Sequence, residues 1–242
     1  MNELLLTFWP LLCAGHLLAD FLLQSGAMVE RKRTQWPWMA AHGLEVLLVQ
    51  GLVLLPFVPG ARTVQALGAI ALSHVCIDAL KVRLETRAGR RLAWFVLDQL
   101  LHLLVLAGVA YWLARGAPAI ERHGLDPHGL RSLAWIVGLY AFNVNGGSAI
   151  VSAVLEGVRA GAPPLEGARA GRVIGILERM AMLTLVWMGE WSALGFVLAA
   201  KSVARFKELE NRAFAEAYLV GTLTSFLVAG ASGLLLRALL AP

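Results

Sequence analysis

Charge is what this sequence has least of. Only 15% of its 242 residues are Asp, Glu, Lys or Arg, against about 25% in a soluble domain. Hydrophobic residues make up 58%, and mean hydropathy is +0.68. Such a chain cannot clothe itself in polar side chains, which argues against a water-soluble globule and for a polytopic membrane protein. Cysteine is also scarce. Cys13 and Cys76 both sit in apolar runs, so two buried free thiols are expected in place of a disulfide framework. No basic n-region precedes the first apolar run, which itself carries a His and an Asp, so no cleavable signal peptide is expected. The net charge of +5 is spread over short loops. That pattern speaks for membrane orientation and against nucleic-acid binding.

What is present is long apolar runs. A membrane-crossing helix needs about 20 apolar residues. Eight stretches are candidates: 4–23, 36–58, 64–84, 92–113, 130–155, 173–188, 191–204 and 217–240. The expected fold is therefore an all-α transmembrane bundle of eight spans, with halves at 1–115 and 130–242. The seventh stretch is short, so the sixth and seventh could instead form a re-entrant hairpin around Gly189. Trp36 and Trp38 suit the membrane interface.

Loop charges set the orientation. Arg31, Lys32 and Arg33 follow the first span, and Lys81, Arg83, Arg87, Arg90 and Arg91 end or follow the third. Arg159, Arg169 and Arg172 follow the fifth, and Arg205, Lys207 and Arg212 the seventh. All four groups fall on one side, which is expected to be cytoplasmic; Arg115 and Arg122 on the other side are a mild exception.

Within the apolar runs lie polar groups at helical spacing. His16 and Asp20, His74 and Asp78, and Asp98 and His102 are each four residues apart, which stacks each pair on one helix face. With His42 they fall at one depth, in the cytoplasmic half of the membrane. His16, Asp20 and His42 recur as His74, Asp78 and His102 at nearly the same separations. The first four spans thus read as a pseudo-repeat of two hairpins.

Three carboxylates and four imidazoles suit a divalent metal of the zinc, manganese or iron type. His16, Asp20, His42, His74, Asp78, Asp98 and His102 are the candidate ligands, with Asp78 and Asp98 as candidates for the general base. Bound metal could generate hydroxide for hydrolysis. The same ladder could line an ion or proton pathway, or serve only as interhelical hydrogen bonds. Gln24, Gln99 and Lys81 are expected to support the ligands. Glu45 could join or contact the site, and Cys13 is a less favoured soft ligand. The loop histidines His123 and His128 are expected to be solvated.

The second half has its own polar set. Lys201 and Arg205 are four apart and could hold an anionic head group. Glu178, a supporting group in that reading, could otherwise form an ion pair with Arg179 or Arg205. Asn143 and Asn145 with Gly146-Gly147 mark a polar break in the fifth span.

The run Gly15-His16-Leu17-Leu18-Ala19-Asp20-Phe21-Leu22-Leu23-Gln24, then His42, Ser73-His74 to Asp78 and Lys81, and Leu97-Asp98-Gln99-Leu100-Leu101-His102 resembles the bacterial membrane family known as domain of unknown function 3307. The stretch Gly175 to Arg179, Lys201-Ser202 and Arg205-Phe206 resembles the tail found in that family, although Glu190 stands where a glutamine is expected. The resemblance implies a multi-pass protein of the bacterial inner membrane and brings no activity. His and Asp inside apolar helices is also similar, more loosely, to membrane-bound metal-dependent hydrolases. The expected substrate is a lipid or phosphorylated amphiphile reached from the cytoplasmic side. Membrane lipids are the expected partners, and no single dimerisation motif stands out.

Overall fold

A computed structural model describes residues 3–58, 60–85, 90–116, 126–158 and 168–241. Arg87, Arg122, His123, Arg159 and the side chain of Arg169 lie outside the described residues. The helices are α1 (Glu3–Leu18), α2 (Gly26–Arg31), α3 (Trp36–Leu54), α4 (Ala61–Leu84) and α5 (Arg91–Ala114), then α6 (Pro127–Val158), α7 (Ala168–Met188), α8 (Trp191–Ala204) and α9 (Arg212–Leu239). Among the described residues there is no strand.

Local chemistry starts and stops these helices. The Ser25 hydroxyl accepts from the Met28 N–H to open α2, and the Asn211 side chain accepts from Phe214 to open α9, each satisfying a donor that the helix cannot. The Asp126 carboxylate accepts from the N–H groups of Gly129 and His128, 2.9 Å each, ahead of α6. Those donors hold its pKa below the ordinary aspartate value. Gly189, between α7 and α8, has φ of 83°, a left-handed conformation that costs any other residue a steric clash.

Among the described residues, six helices are long and apolar enough to cross a membrane: α1 with its extension, α3, α4, α5, α6 and α9. The two remaining expected spans are helical but differ from these. α8 has 14 residues, and α7 carries Arg172, Glu178 and Arg179 among its 21. Cys13 is buried as expected, but Cys76 is exposed. It lies on the outer face of α4, between the inward-facing His74 and Asp78.

The chain divides into two compact units, residues 1–141 and 142–242, with the division inside α6. In the first unit α1 packs on α3 and α5, and α4 packs on the same two. The four helices therefore close a ring in the order α1, α3, α4, α5. Phe8, Leu12, Leu54, Leu106 and Leu113 fill part of its apolar core. The ring order sets α1 diagonal to α4 and α3 diagonal to α5, so the two members of each repeated His or Asp position lie on diagonal helices. In the second unit α7 packs on α8 and α9.

A glycine lets α3 and α4 pack tightly beside the site. A Cβ added at Gly43 would stand 2.5 Å from Val75 Cγ2. Gly43 follows His42, and Val75 follows His74, so the missing side chain lets the two imidazoles meet. Gly43→Ala is expected to destabilise the protein by about 1–3 kcal/mol, the usual range for overpacking. Adding Val75→Ala should restore most of the loss, as read from thermal unfolding midpoints.

Candidate metal centre

The sequence places His16 and Asp20 one turn apart on an ordinary helix, but the chain does something different there. At Ala19–Leu23 α1 widens into a π-helical turn, closed by the Gln24 N–H donating to the Ala19 carbonyl at 3.0 Å. Asp20 lies in this turn, and its carboxylate faces into the ring. Such local widenings are common at functional sites. The His74–Asp78 pair sits in unbroken α-helix, so the two repeated pairs are not equivalent in geometry.

All seven proposed ligands converge in the first unit. His16, His42, His74, Asp78, Asp98 and His102 are all at most 4% exposed, and the Asp20 side chain is 8% exposed. Asp20 Oδ1 faces His42 Nε2 and His74 Nε2 at 3.4 Å each and His16 Nδ1 at 3.8 Å. It has no hydrogen-bond partner. His42 Nε2 and His74 Nε2 are 3.0 Å apart, and Asp78 Oδ2 lies 3.7 and 3.8 Å from them. The His74 and His102 rings are 4.2 Å apart between centroids, and His16 stacks on His102 at 4.9 Å.

Three of the imidazoles are oriented by groups behind them. Gln99 Nε2 donates to Asp98 Oδ2 at 3.0 Å, which turns its Oε1 toward His16 Nε2 at 3.2 Å. Glu45 Oε2 stands 3.1 Å from His42 Nδ1. The Asp98 backbone carbonyl stands 2.9 Å from His102 Nδ1. Each of these partners can only accept, so each outer ring nitrogen is the one that carries hydrogen. A neutral imidazole has one N–H, so the inner nitrogens of His16, His42 and His102 present lone pairs. His102 Nε2 and Asp98 Oδ1 are buried with no partner, like Asp20 Oδ1. The lone pairs of His16, His42 and His102 thus turn toward the cluster, where His74 Nε2 is placed to donate to His42 Nε2, and the outer contacts are of the kind that orient metal-binding histidines.

The charge balance agrees. Lys32 Nζ donates to Asp78 Oδ2 at 2.5 Å, and Lys81 Nζ to Asp98 Oδ2 at 2.9 Å. Asp20, Glu45, Asp78 and Asp98 thus face two ammonium groups, leaving two negative charges unmatched when the imidazoles are neutral. Three overlapping groups have ligand atoms within 4.8 Å of one another: His16, Asp20 and His74; His42, His74 and Asp78; and Asp78, Asp98 and His102. Buried His and Asp clusters of this kind can hold a metal ion.

Lys32 is the residue that the sequence reading did not connect to the site, having treated it as an orientation signal. Glu45 is confirmed in contact with His42 only. Gln24 is buried, with its Nε2 unpartnered.

The second unit is organised differently from the expected ion pair. Glu178 pairs with Lys201, not with Arg179 or Arg205. Arg205 faces Glu208 at 3.3 Å near the surface. Arg179 is 2% exposed and turns to the polar break in α6. Its Nε donates to the Asn143 carbonyl at 2.8 Å, and its Nη2 to the Val144 carbonyl at 3.1 Å and to Ser148 Oγ at 2.5 Å. Gly147 makes room, since a Cβ there would stand 2.6 Å from Arg179 Nε. Asn143 Nδ2 in turn donates to Ser232 Oγ of α9 at 2.9 Å.

The chain is thus an all-α membrane protein with a buried cluster of imidazoles and carboxylates inside one helical ring. Its residues 7–122, just under half the chain, match the model of the family described as Protein of unknown function (DUF3307). That is the family the His and Asp motifs resemble, and the matched segment contains the whole cluster. No curated protein and no solved structure matches the chain.

Proposed function

We propose that the first unit is a divalent-metal centre with hydrolase chemistry, acting on a lipid or phosphorylated amphiphile from the cytoplasmic side of the bacterial inner membrane. The observation that carries this reading is the convergence on Asp20 Oδ1 of imidazole nitrogens, with His16 and His42 held from behind in the lone-pair-inward tautomer. Asp20, His16, His42 and His74 hold the ion. A divalent ion there would lower the pKa of a bound water toward neutrality. Asp98 serves as general base: Lys81 and Gln99 fix its Oδ2, and its Oδ1 is free. Burial near one end of the ring favours a substrate that is itself amphiphilic, since a polar solute would have to shed its water to arrive.

Elemental analysis of the purified protein tests this. Wild type should carry about one zinc, manganese or iron per chain, and the His74→Ala, Asp78→Ala double variant less than about a tenth of that, given the loss of charged and imidazole donors together. Equal, negligible metal in both would sink the metal reading.

A second reading rests on the 3.0 Å contact of His42 Nε2 with His74 Nε2, which would pass a proton between rings. Two protons would also match the two unmatched charges, making the ladder a proton-coupled pathway. Proton or cation flux into proteoliposomes, without turnover of any ester, favours that pathway over hydrolysis.

A further inference from the structure

Among the described residues, the second unit contains a buried cation that is hydrogen-bonded to no carboxylate. Arg179 is 2% exposed, yet its hydrogen bonds all go to neutral oxygens, two backbone carbonyls and a serine hydroxyl. They occupy Nε and Nη2 and leave Nη1 free. The neighbouring acid, Glu178, is taken by Lys201. A guanidinium buried in a membrane protein without a carboxylate is costly and marks a site for a counter-charge.

Beside Nη1, the neighbouring turn of α7 carries no side chain. Gly175 lies one turn before Arg179 on the same face of α7, and a Cβ there would stand 3.4 Å from Nη1. A further turn back, Arg172 is exposed and uses its Nη2 on Asn145 Oδ1 at 2.9 Å. Arg172, Gly175 and Arg179 therefore follow one another along one helix face over about 10 Å. Both arginines are tied to α6, Arg179 in the interior and Arg172 at the surface, and the residue between them has no side chain.

We propose that this face of α7 binds a phosphate group, seated over Gly175 with Arg179 Nη1 at its inner side and the Arg172 guanidinium at its outer side. Two guanidiniums match the charge of a phosphomonoester, and their N–H groups match its oxygens. The assignment goes beyond the metal centre and does not depend on it. It also differs from an anion site at Lys201 and Arg205, because Glu178 already neutralises Lys201.

The test uses the full-length protein in an uncharged maltoside detergent, with three probes followed by calorimetric titration: inorganic phosphate, dihexanoyl phosphatidic acid and dihexanoylglycerol. At least one phosphate probe should bind, and the uncharged diacylglycerol should not. Binding of the phosphatidate without competition by inorganic phosphate assigns a lipid head group. Equal binding and competition assign free phosphate. Arg179→Gln should abolish binding, but it also removes contacts to α6 and can disturb folding. Two milder variants decide the matter. Gly175→Ala puts a methyl where a phosphate oxygen would sit and suits a helix better than glycine. Arg172→Gln changes an exposed side chain. Each should weaken binding at least about tenfold, the loss expected for a charge-assisted hydrogen bond, with the unfolding midpoint unchanged. Wild-type binding of neither phosphate probe, equal binding of the diacylglycerol, or unchanged affinity in both mild variants overturns the proposal.

Discussion

Asp20→Asn is expected to abolish divalent-metal binding while leaving the metal-free protein at least as stable as before. The three aspartates of the cluster look alike in sequence but differ in partners. Asp78 has Lys32 and Asp98 has Lys81. Asp20 has no cation, and its Oδ1 is a buried oxygen without a hydrogen bond. A carboxylate so placed costs the fold free energy when nothing positive is bound, because its lost hydration is not replaced. An amide of the same shape removes that cost and, with it, the charge that draws the ion.

The expected readout is therefore a split. Metal content falls from about one ion per chain to below about a tenth, and the apo unfolding midpoint stays level or rises, as happens when a site is built at the expense of stability. Asp98→Asn is the contrast. It keeps its contacts with Gln99 and the Asp20 centre is untouched, so metal should remain while any hydrolytic turnover drops by about a hundredfold or more, the usual weight of a general base. The reverse pattern, with Asp98→Asn emptying the site and Asp20→Asn still loaded, would move the ion to the Asp78, Asp98 and His102 group and refute the assignment.

The reason these residues could be read from the sequence at all is the contrast between them and their surroundings. His16, Asp20, His74, Asp78, Asp98 and His102 break apolar runs at a spacing of four, and a membrane helix tolerates such groups only on an inward face. Their sharing of one depth followed from loop charges and span lengths. The π-helical turn at Ala19–Leu23 was not legible, since no residue type dictates it. It carries the Asp20 carboxylate that faces His42 of α3 and His74 of α4, groups far away along the chain. Cys76 was assigned to the interior from apolar neighbours, but in a lipid-facing helix the outer face is apolar too, so hydrophobicity does not separate in from out. The partner of Glu178 was misassigned for a related reason. Sequence proximity favoured Arg179, whereas Gly147 in α6 opens a space that draws Arg179 away and leaves Glu178 to Lys201. Lys32 sits in a run of charged loop residues, 46 positions from Asp78, and local spacing carries no information at that range.

That last contact leads to the second large effect. Lys32 is anchored at the start of the loop from α2 to α3, where the adjacent Arg33 pairs with Glu85 at the end of α4 at 3.0 Å. Its ammonium therefore enters the cluster from the loop side and occupies Asp78 Oδ2, the oxygen that also lies 3.7 Å from His42 Nε2. In the metal-free protein Lys32→Met should be strongly destabilising, by about 3 kcal/mol, because it strands a buried carboxylate. In the presence of a divalent ion the same substitution should behave oppositely. With the ammonium gone, the ion meets less repulsion and gains Asp78 as a ligand, so its affinity should rise at least about tenfold, which adds about 1.4 kcal/mol of linked stabilisation at saturation. Melting midpoints with and without metal measure both effects at once. The variant should unfold well below wild type when stripped with chelator and should recover about half of the difference when metal is added. A Lys32→Met, Asp78→Asn double variant should lose the penalty and the gain together, since the two residues act as a unit. Equal metal-induced shifts in wild type and Lys32→Met would mean that the lysine does not compete with the ion, and that Asp78 is held by Lys32 alone.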